Sequence, residues 1–289
     1  MGEIGTAHEH FEHSIALHDP EQHRSLAVHI GFDPGASYRG YAAFPLWALV
    51  YPDRALKRSQ EAVALAHKLS HLLSLGFVLG LGAILHMLRR DMQAIQERAE
   101  AIIALSTDQR FPVWLAAGMF ARGWALAALG QSAEGIMQMR QGLAAWRTTG
   151  MGVVVPLWLV LLAEAYGRAE KAEEGLTILA EALDVMNKNG ERFYEAELCR
   201  IKGELLLQQA AGSGDAAEIC FRQALDIARQ QQAKSLELRA AMSLSRLWQR
   251  QGKGAAAREL LAPIYGWFTE GFDTADLQDA KALLAELGE

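Results

Sequence analysis

The feature that most limits what this chain can fold into is a recurrence of small residues about every 40 positions. Six stretches align on Ala55, Ala94, Gly135, Gly175, Ala217 and Ala257, with steps of 39, 41, 40, 42 and 40. Twelve residues before the anchor stands Ala43, Gly82, Gly123, Ala163 or Ser245; in the fifth stretch Gly203 lies fourteen before, because the turn AAGSGD is longer. Seven residues after it come Ala62, Ala101, Gly142, Ala182 and Ala224, with Ile264 the exception. Two helices approach closely only where a side chain is minimal or missing. The recurrence therefore predicts paired antiparallel helices, with Leu46, Leu49, Leu56 and Leu65 among the large residues that fill the layers. A single hairpin leaves an apolar face open, so each must stack on its neighbours and the product is an α-solenoid.

Punctuation agrees with this frame. Tyr51-Pro52-Asp53, Arg90-Asp91, Gly130-Gln131 and Gly252-Lys253-Gly254 fall between the two helices of their repeats. Such residues end one helix and cap the next. Pro112 and Pro156 stand near helix starts, where a missing N–H is harmless. Pro45 stands inside a helix, where a kink or a shortened helix is expected, and Val50 occupies a turn position that suits Gly. The expected organisation is one unit over 1–289: a partial repeat and loop at 6–33, hairpins at 34–70, 71–109, 110–150, 151–190, 191–233 and 234–271, and a capping helix at 272–289 introduced by Asp273-Thr274. The first helix, with Ala7, Phe11 and Ile15 on one face, lacks the partner that should precede it, which reads as the C-terminal part of a longer array.

Composition excludes several functions. Hydrophobic residues at 51% and charged residues at 21% are those of a folded chain, and 7 prolines with abundant Ala favour helix. The net charge of −6 arises entirely in residues 151–289, with 15 basic and 21 acidic side chains against 13 and 13 before. No basic stripe marks a nucleic-acid binder. Cys199 and Cys220 form no zinc or redox pattern. The start has no signal-peptide pattern, so a cytoplasmic site is expected. Leu72–Leu88 runs 17 residues without a full charge, yet it keeps register with the repeat and reads as a buried helix, not a membrane span.

The strings YPDRALKRSQEAVALA, LAEAYGRAEKAEEGL, GERFYEAELCRIKGELLL, QAKSLELRAAMSLSRLW and LLAPIYGWFTEGFDTADL resemble the tetratricopeptide repeat superfamily in its long form of roughly 40 residues. More narrowly they look like the C-terminal helical region of large bacterial signalling proteins, in which a class III adenylate/guanylate cyclase or another effector domain and an ATPase module come first. A more distant likeness is to the repeat domain of the bacterial maltose-regulon activator. The resemblance implies a right-handed superhelix, a regulatory or scaffolding role and no catalytic residue. Pro45 and Val50 depart from the pattern.

In such arrays the inner face of each first helix lines a concave groove. That face predicts a binding line of Phe44, Leu79, Phe120, Trp124, Val160, Glu164, Arg200, Glu204, Met242 and Arg246, apolar and aromatic first and charged later. The expected occupant is a protein or peptide, or the effector domains of a longer chain; the alternative is a small molecule sensed in the groove. No cofactor is expected. Glu164 and Glu204 lack a nucleophile or metal pattern that would make them acid–base catalysts, and ion pairing with Arg200 or Arg246 is the reading for them. The histidines His8, His10, His13, His18, His23 and His29, and the pair His67 and His71, lack the further ligands of a metal site.

Overall fold

The computed structural model describes residues 3–19, 22–209 and 212–288. Two residues of the long AAGSGD turn, 210 and 211, lie outside the described residues. Among the described residues every regular element is helical. They are α1 (Ile4–Leu17), α2 (Arg24–Ile30), α3 (Pro34–Ala48), α4 (Pro52–Leu69), α5 (Leu72–Arg89), α6 (Met92–Gln109), α7 (Pro112–Ala128), α8 (Ser132–Thr148), α9 (Val155–Arg168), α10 (Ala172–Asn189), α11 (Glu195–Gln209), α12 (Gly214–Gln230), α13 (Lys234–Arg250), α14 (Gly254–Tyr265) and α15 (Ala275–Glu286). Helices α3 to α14 pack as six successive hairpins, α1 lies on α3, and α15 caps α13 and α14.

The hairpins touch where small residues face each other. A Cβ added at Gly135 would lie 2.5 Å from the Ala127 nitrogen and the Gly123 oxygen; one at Gly123 would lie 2.7 Å from the Gly135 oxygen and the Met139 nitrogen. At Gly175 the added atom would stand 3.2 Å from the Ala163 oxygen.

The second hairpin corrects the register by one residue. In α6 the buried stripe is Ile95, Ala99, Ile102 and Ser106, while Ala94 is half-buried and Ala101 is exposed. The stripe matches Ala55, Ser59, Ala62 and Ala66 in α4 and Gly175, Leu179, Ala182 and Met186 in α10. The anchors are thus Ala55, Ile95, Gly135, Gly175, Ala217 and Ala257, with steps of 40, 40, 40, 42 and 40. In the first helices the line is Ala43, Ala83, Gly123, Ala163, Gly203 and Ser245. Gly82 is equivalent to Arg122: it faces Ser59 and Arg98, as Arg122 faces Glu100 and Gln138. A search for small residues slips here because Ile95 and Ile102 are large.

The turns repeat as well. Val50, Arg90, Gly130, Glu170 and Gly252 all have positive φ, at 90°, 58°, 90°, 59° and 76°. Each is followed by an N–H that reaches back to the helix it closes: Tyr51 to Leu46, Asp91 to His86, Gln131 to Leu126, Lys171 to Tyr166 and Lys253 to Trp248. Val50 takes the left-handed conformation despite its branched side chain. Helix α3 runs through Pro45 to Ala48, three residues beyond it, so the expected shortening does not occur. Asp91 caps α6 by accepting from the Ala94 N–H, and His71 caps α5 by accepting from the Ser74 N–H. At α15, Thr274 is the N-cap residue, yet its hydroxyl donates to the Gly271 carbonyl and caps nothing. Helix α5 has the length and composition to cross a membrane, and 89% of it is buried within the fold.

The last hairpin returns to the first two. Helix α13 packs against α3, and the Ser235 hydroxyl donates to the Trp47 carbonyl at 2.5 Å. Glu270 accepts from the Asp53 and Arg54 N–H groups at 3.0 Å, and the Gly271 N–H donates to Asp53 at 2.9 Å. Trp47, Pro52, Phe268 and Leu277 pack beneath these bonds. The solenoid therefore closes on itself.

Two substitutions test this account. Gly135→Ala forces a methyl into backbone and should cost about 3 kcal/mol, whereas Gly82→Ala meets only side-chain atoms, Ser59 Oγ at 3.2 Å and Arg98 Nε at 3.6 Å, and should stay within about 1 kcal/mol of the parent, both read by urea denaturation. Val50→Gly relieves the left-handed strain and should add about 1 kcal/mol to the same unfolding free energy.

Candidate functional site

Closure turns the inner face of the first helices into a polar cavity of about 130 Å³. Its wall is built from α5, α7, α9, α11, α13 and α15, together with Arg90 and Tyr194 from adjoining turns. Trp124, Glu164, Arg200, Met242 and Arg246 of the predicted line meet there. On α13 the lining residues are Arg239, Met242, Ser243 and Arg246, one stripe at helical spacing.

The other predicted residues have different places. Phe120 is fully buried and stacks on Trp158 with ring centroids 4.2 Å apart; Val160 is also buried. Phe44 is half-buried against Phe193 across the closure. Glu204 accepts from the Ser243 hydroxyl at 2.6 Å, beside the cavity wall. Leu79 is buried and off the line by the same one-residue slip: the corrected register runs Gly40, Gly80, Phe120, Val160, Arg200, Met242. The apolar first half of the line is mostly core in this closed form, and the accessible part is the charged second half.

Several cavity residues escaped the sequence reading. Glu197 and Arg239 lie one turn before Arg200 and Met242 on the same stripes, so extending the stripe by three residues finds both. Asp276 and Asp279 belong to α15 and reach the cavity only through closure. Arg239 is buried and donates to Asp276 at 2.8 Å, to the Tyr194 hydroxyl at 3.1 Å and to the Leu88 carbonyl. Arg200 holds Glu197 through two bonds of 2.7 and 3.0 Å and lies 3.5 Å from Glu204. Arg90 binds Asp276 at 3.1 Å and Asp279 at 2.7 Å. Glu164 is paired with Arg168 at 2.9 Å. The expected partner for Glu164, Arg200 or Arg246, is thus replaced by an arginine on its own helix.

The electrostatics follow from this crowding. Burial pushes the Glu197 carboxyl up, but the guanidinium groups of Arg200 and Arg239 outweigh it and hold the group below the ordinary carboxylate range. Burial, and then Glu197, push the Tyr194 hydroxyl up, so it stays protonated. Arg246 lines the cavity without an ion pair or hydrogen-bond partner among the described residues. Among the described residues the carboxylates of the wall are each paired with an arginine. Among the described residues no group of three His, Cys, Asp or Glu side chains is placed to hold a metal. Cys199 and Cys220 are buried free thiols, and burial pushes the Cys199 thiol up to about 12.

A lowered carboxylate contributes stability above its unfolded value, and that stability is lost as pH falls through the folded value. Acidification from the ordinary carboxylate range downward should therefore unfold the protein progressively. Glu197→Gln should be less stable at neutral pH and should show a flatter decline in acid, measured as the thermal midpoint against pH.

No protein-family model matches the chain. An uncharacterised protein of Rhizobium meliloti (strain 1021) is 24% identical over 234 residues, covering 81% of this chain, and the chain spans 23% of that relative's length. Among solved structures, a Rap protein complexed with competence and sporulation factor matches over 99% of this chain and 88% of its own, with a TM-score of 0.66 at 14% identity. The apo form of RapI matches over 87% and 84%, with a TM-score of 0.58 at 9% identity. At these identities the likeness is one of fold, and the fold is the tetratricopeptide-like solenoid of helix hairpins.

Proposed function

We propose that this chain is a non-catalytic regulatory module that holds a protein or peptide segment on its inner face. The observation that carries the reading is the charged second half of that face, where α9, α11 and α13 converge on one cavity and Arg246 has no partner among the described residues. A scaffold of stacked hairpins holds such groups in fixed positions, which lowers the ordering cost of binding. The solved Rap structure, of similar fold, is complexed with competence and sporulation factor, which supports occupation of this kind of solenoid by a bound partner. We further propose that the module belongs to a larger bacterial signalling protein with cyclase or ATPase domains and sits in the cytoplasm. The chain spans 23% of the Rhizobium protein, which supports a place in a longer chain.

A second reading, small-molecule sensing, is favoured by one feature: a cavity of about 130 Å³ suits a compact polar ligand better than a protein surface. One pair of measurements separates the two. A peptide array probed with the purified chain should yield binders that Arg246→Glu weakens at least tenfold with no change in melting temperature. A dose-dependent rise in melting temperature with a metabolite panel, and no array binder sensitive to Arg246, would favour sensing instead.

A further inference from the structure

The arginines of the cavity fall into three kinds. Arg200 is bound by carboxylates of its own helix, Glu197 three residues before and Glu204 four after. Arg246 has no partner among the described residues. Arg90 and Arg239 take carboxylates from α15, at sequence separations of 186 and 189 residues for Arg90 and 37 for Arg239, and Arg239 also lies 3.5 Å from Glu197. Those carboxylates, Asp276 and Asp279, are three residues apart on one helix face, so a single acidic turn fills both guanidinium groups.

We propose that α15 is a built-in acidic ligand, and that the partner is an extended peptide segment with two carboxylates three residues apart, one of which displaces Asp276 from Arg239 while the other takes Arg246. This rests on the peptide-binding reading above and names the partner's chemistry. The placement of charge supports it. Glu164 and Glu197 are already paired with Arg168, Arg200 and Arg239, so among the described residues that line the cavity the charge without a partner is that of Arg246. Arg239 and Arg246 are seven residues apart on α13, about 10 Å along the helix, a span that about three residues of extended peptide cover. Met242 lies between them and gives an apolar side chain between the acidic ones a surface to rest on.

The seat of α15 also permits exchange. The Asp279 side chain is 41% exposed and that of Arg90 is 35% exposed, whereas the Asp276 side chain is 11% exposed. An incoming carboxylate passes Asp279 and Arg90 before it reaches Arg239. Each ion pair that the intruder makes replaces one that α15 loses, so the net change in charge pairing is small. The added contact with Arg246, which α15 does not make, tips the exchange.

The test uses the full chain and a fluorescein-labelled capped peptide of residues 275–280, Ala-Asp-Leu-Gln-Asp-Ala, followed by fluorescence anisotropy. Its control has both Asp residues replaced by Asn. Asp276→Asn/Asp279→Asn in the protein should raise affinity for the acidic peptide at least tenfold over the parent and leave the control peptide unbound. Adding Arg246→Glu should reverse the gain, and 0.5 M salt should weaken binding at least tenfold. Asp279→Asn alone, at a half-exposed position, keeps the fold and should give part of the gain if the double variant loses stability. Equal binding of the acidic and control peptides, or no gain in either variant, would overturn the proposal. Array binders without acidic preference would overturn it while leaving the broader reading intact. Binding of the acidic peptide with no array binder sensitive to Arg246 would leave the self-ligand standing and remove that reading.

Discussion

Everything in this molecule depends on how near two helices can come when nothing larger than a methyl group stands between them. At Gly123, Gly135 and Gly142 even a methyl is too much, since an added Cβ would meet backbone atoms at 2.5 to 2.8 Å. That contact sets the separation of α7 and α8, and its repetition at a 40-residue interval sets the pitch of the stack. Where the anchor is Ile95, the hairpin keeps the same stripe of contacts with larger side chains in them, so the period survives a change in residue size. The period belongs to the geometry of the hairpin, and small residues are its usual means.

A stack with a constant offset between layers curves, and here the curve brings its ends together. Trp47, Pro52, Phe268 and Leu277 form the apolar part of the junction, and Asp53, Arg54, Glu270, Arg90 and Asp276 the charged part. Closure has an electrostatic consequence that no single repeat has. Buried charges tolerate burial only when paired, and Arg239 is satisfied by groups from the α5 end, the turn before α11, and α15 at once. The cavity is what remains between these elements after pairing, and Arg246 is the charge left over.

How much of this was legible follows from the range of each interaction. The hairpins, their turns and the stripe through Arg200, Met242 and Arg246 rest on residues within about forty positions of one another, and periodicity reports them. The left-handed turn at Val50 was flagged because Val is the wrong residue for it, and the same mismatch marks the strain. Leu79 was misplaced because Gly82 is small and Ala83 is small, and sequence offers no reason to choose between them until Ile95 is seen to be buried. Phe120 and Val160 were read as groove lining because they stand on the inner stripe; both are buried, and Phe120 stacks on Trp158 of the next hairpin.

By itself the sequence determined the class of fold, because it depends on local propensity and on a spacing that any neighbour pair must satisfy. The tertiary structure alone decided that the inner face is a small charged cavity instead of an open groove, and that α15 supplies carboxylates to Arg90 and Arg239. The physical reason is the accumulation of small angular offsets over six hairpins. Each offset is set by side-chain packing at a hairpin contact, and only their sum places Asp276 within reach of an arginine 186 residues away.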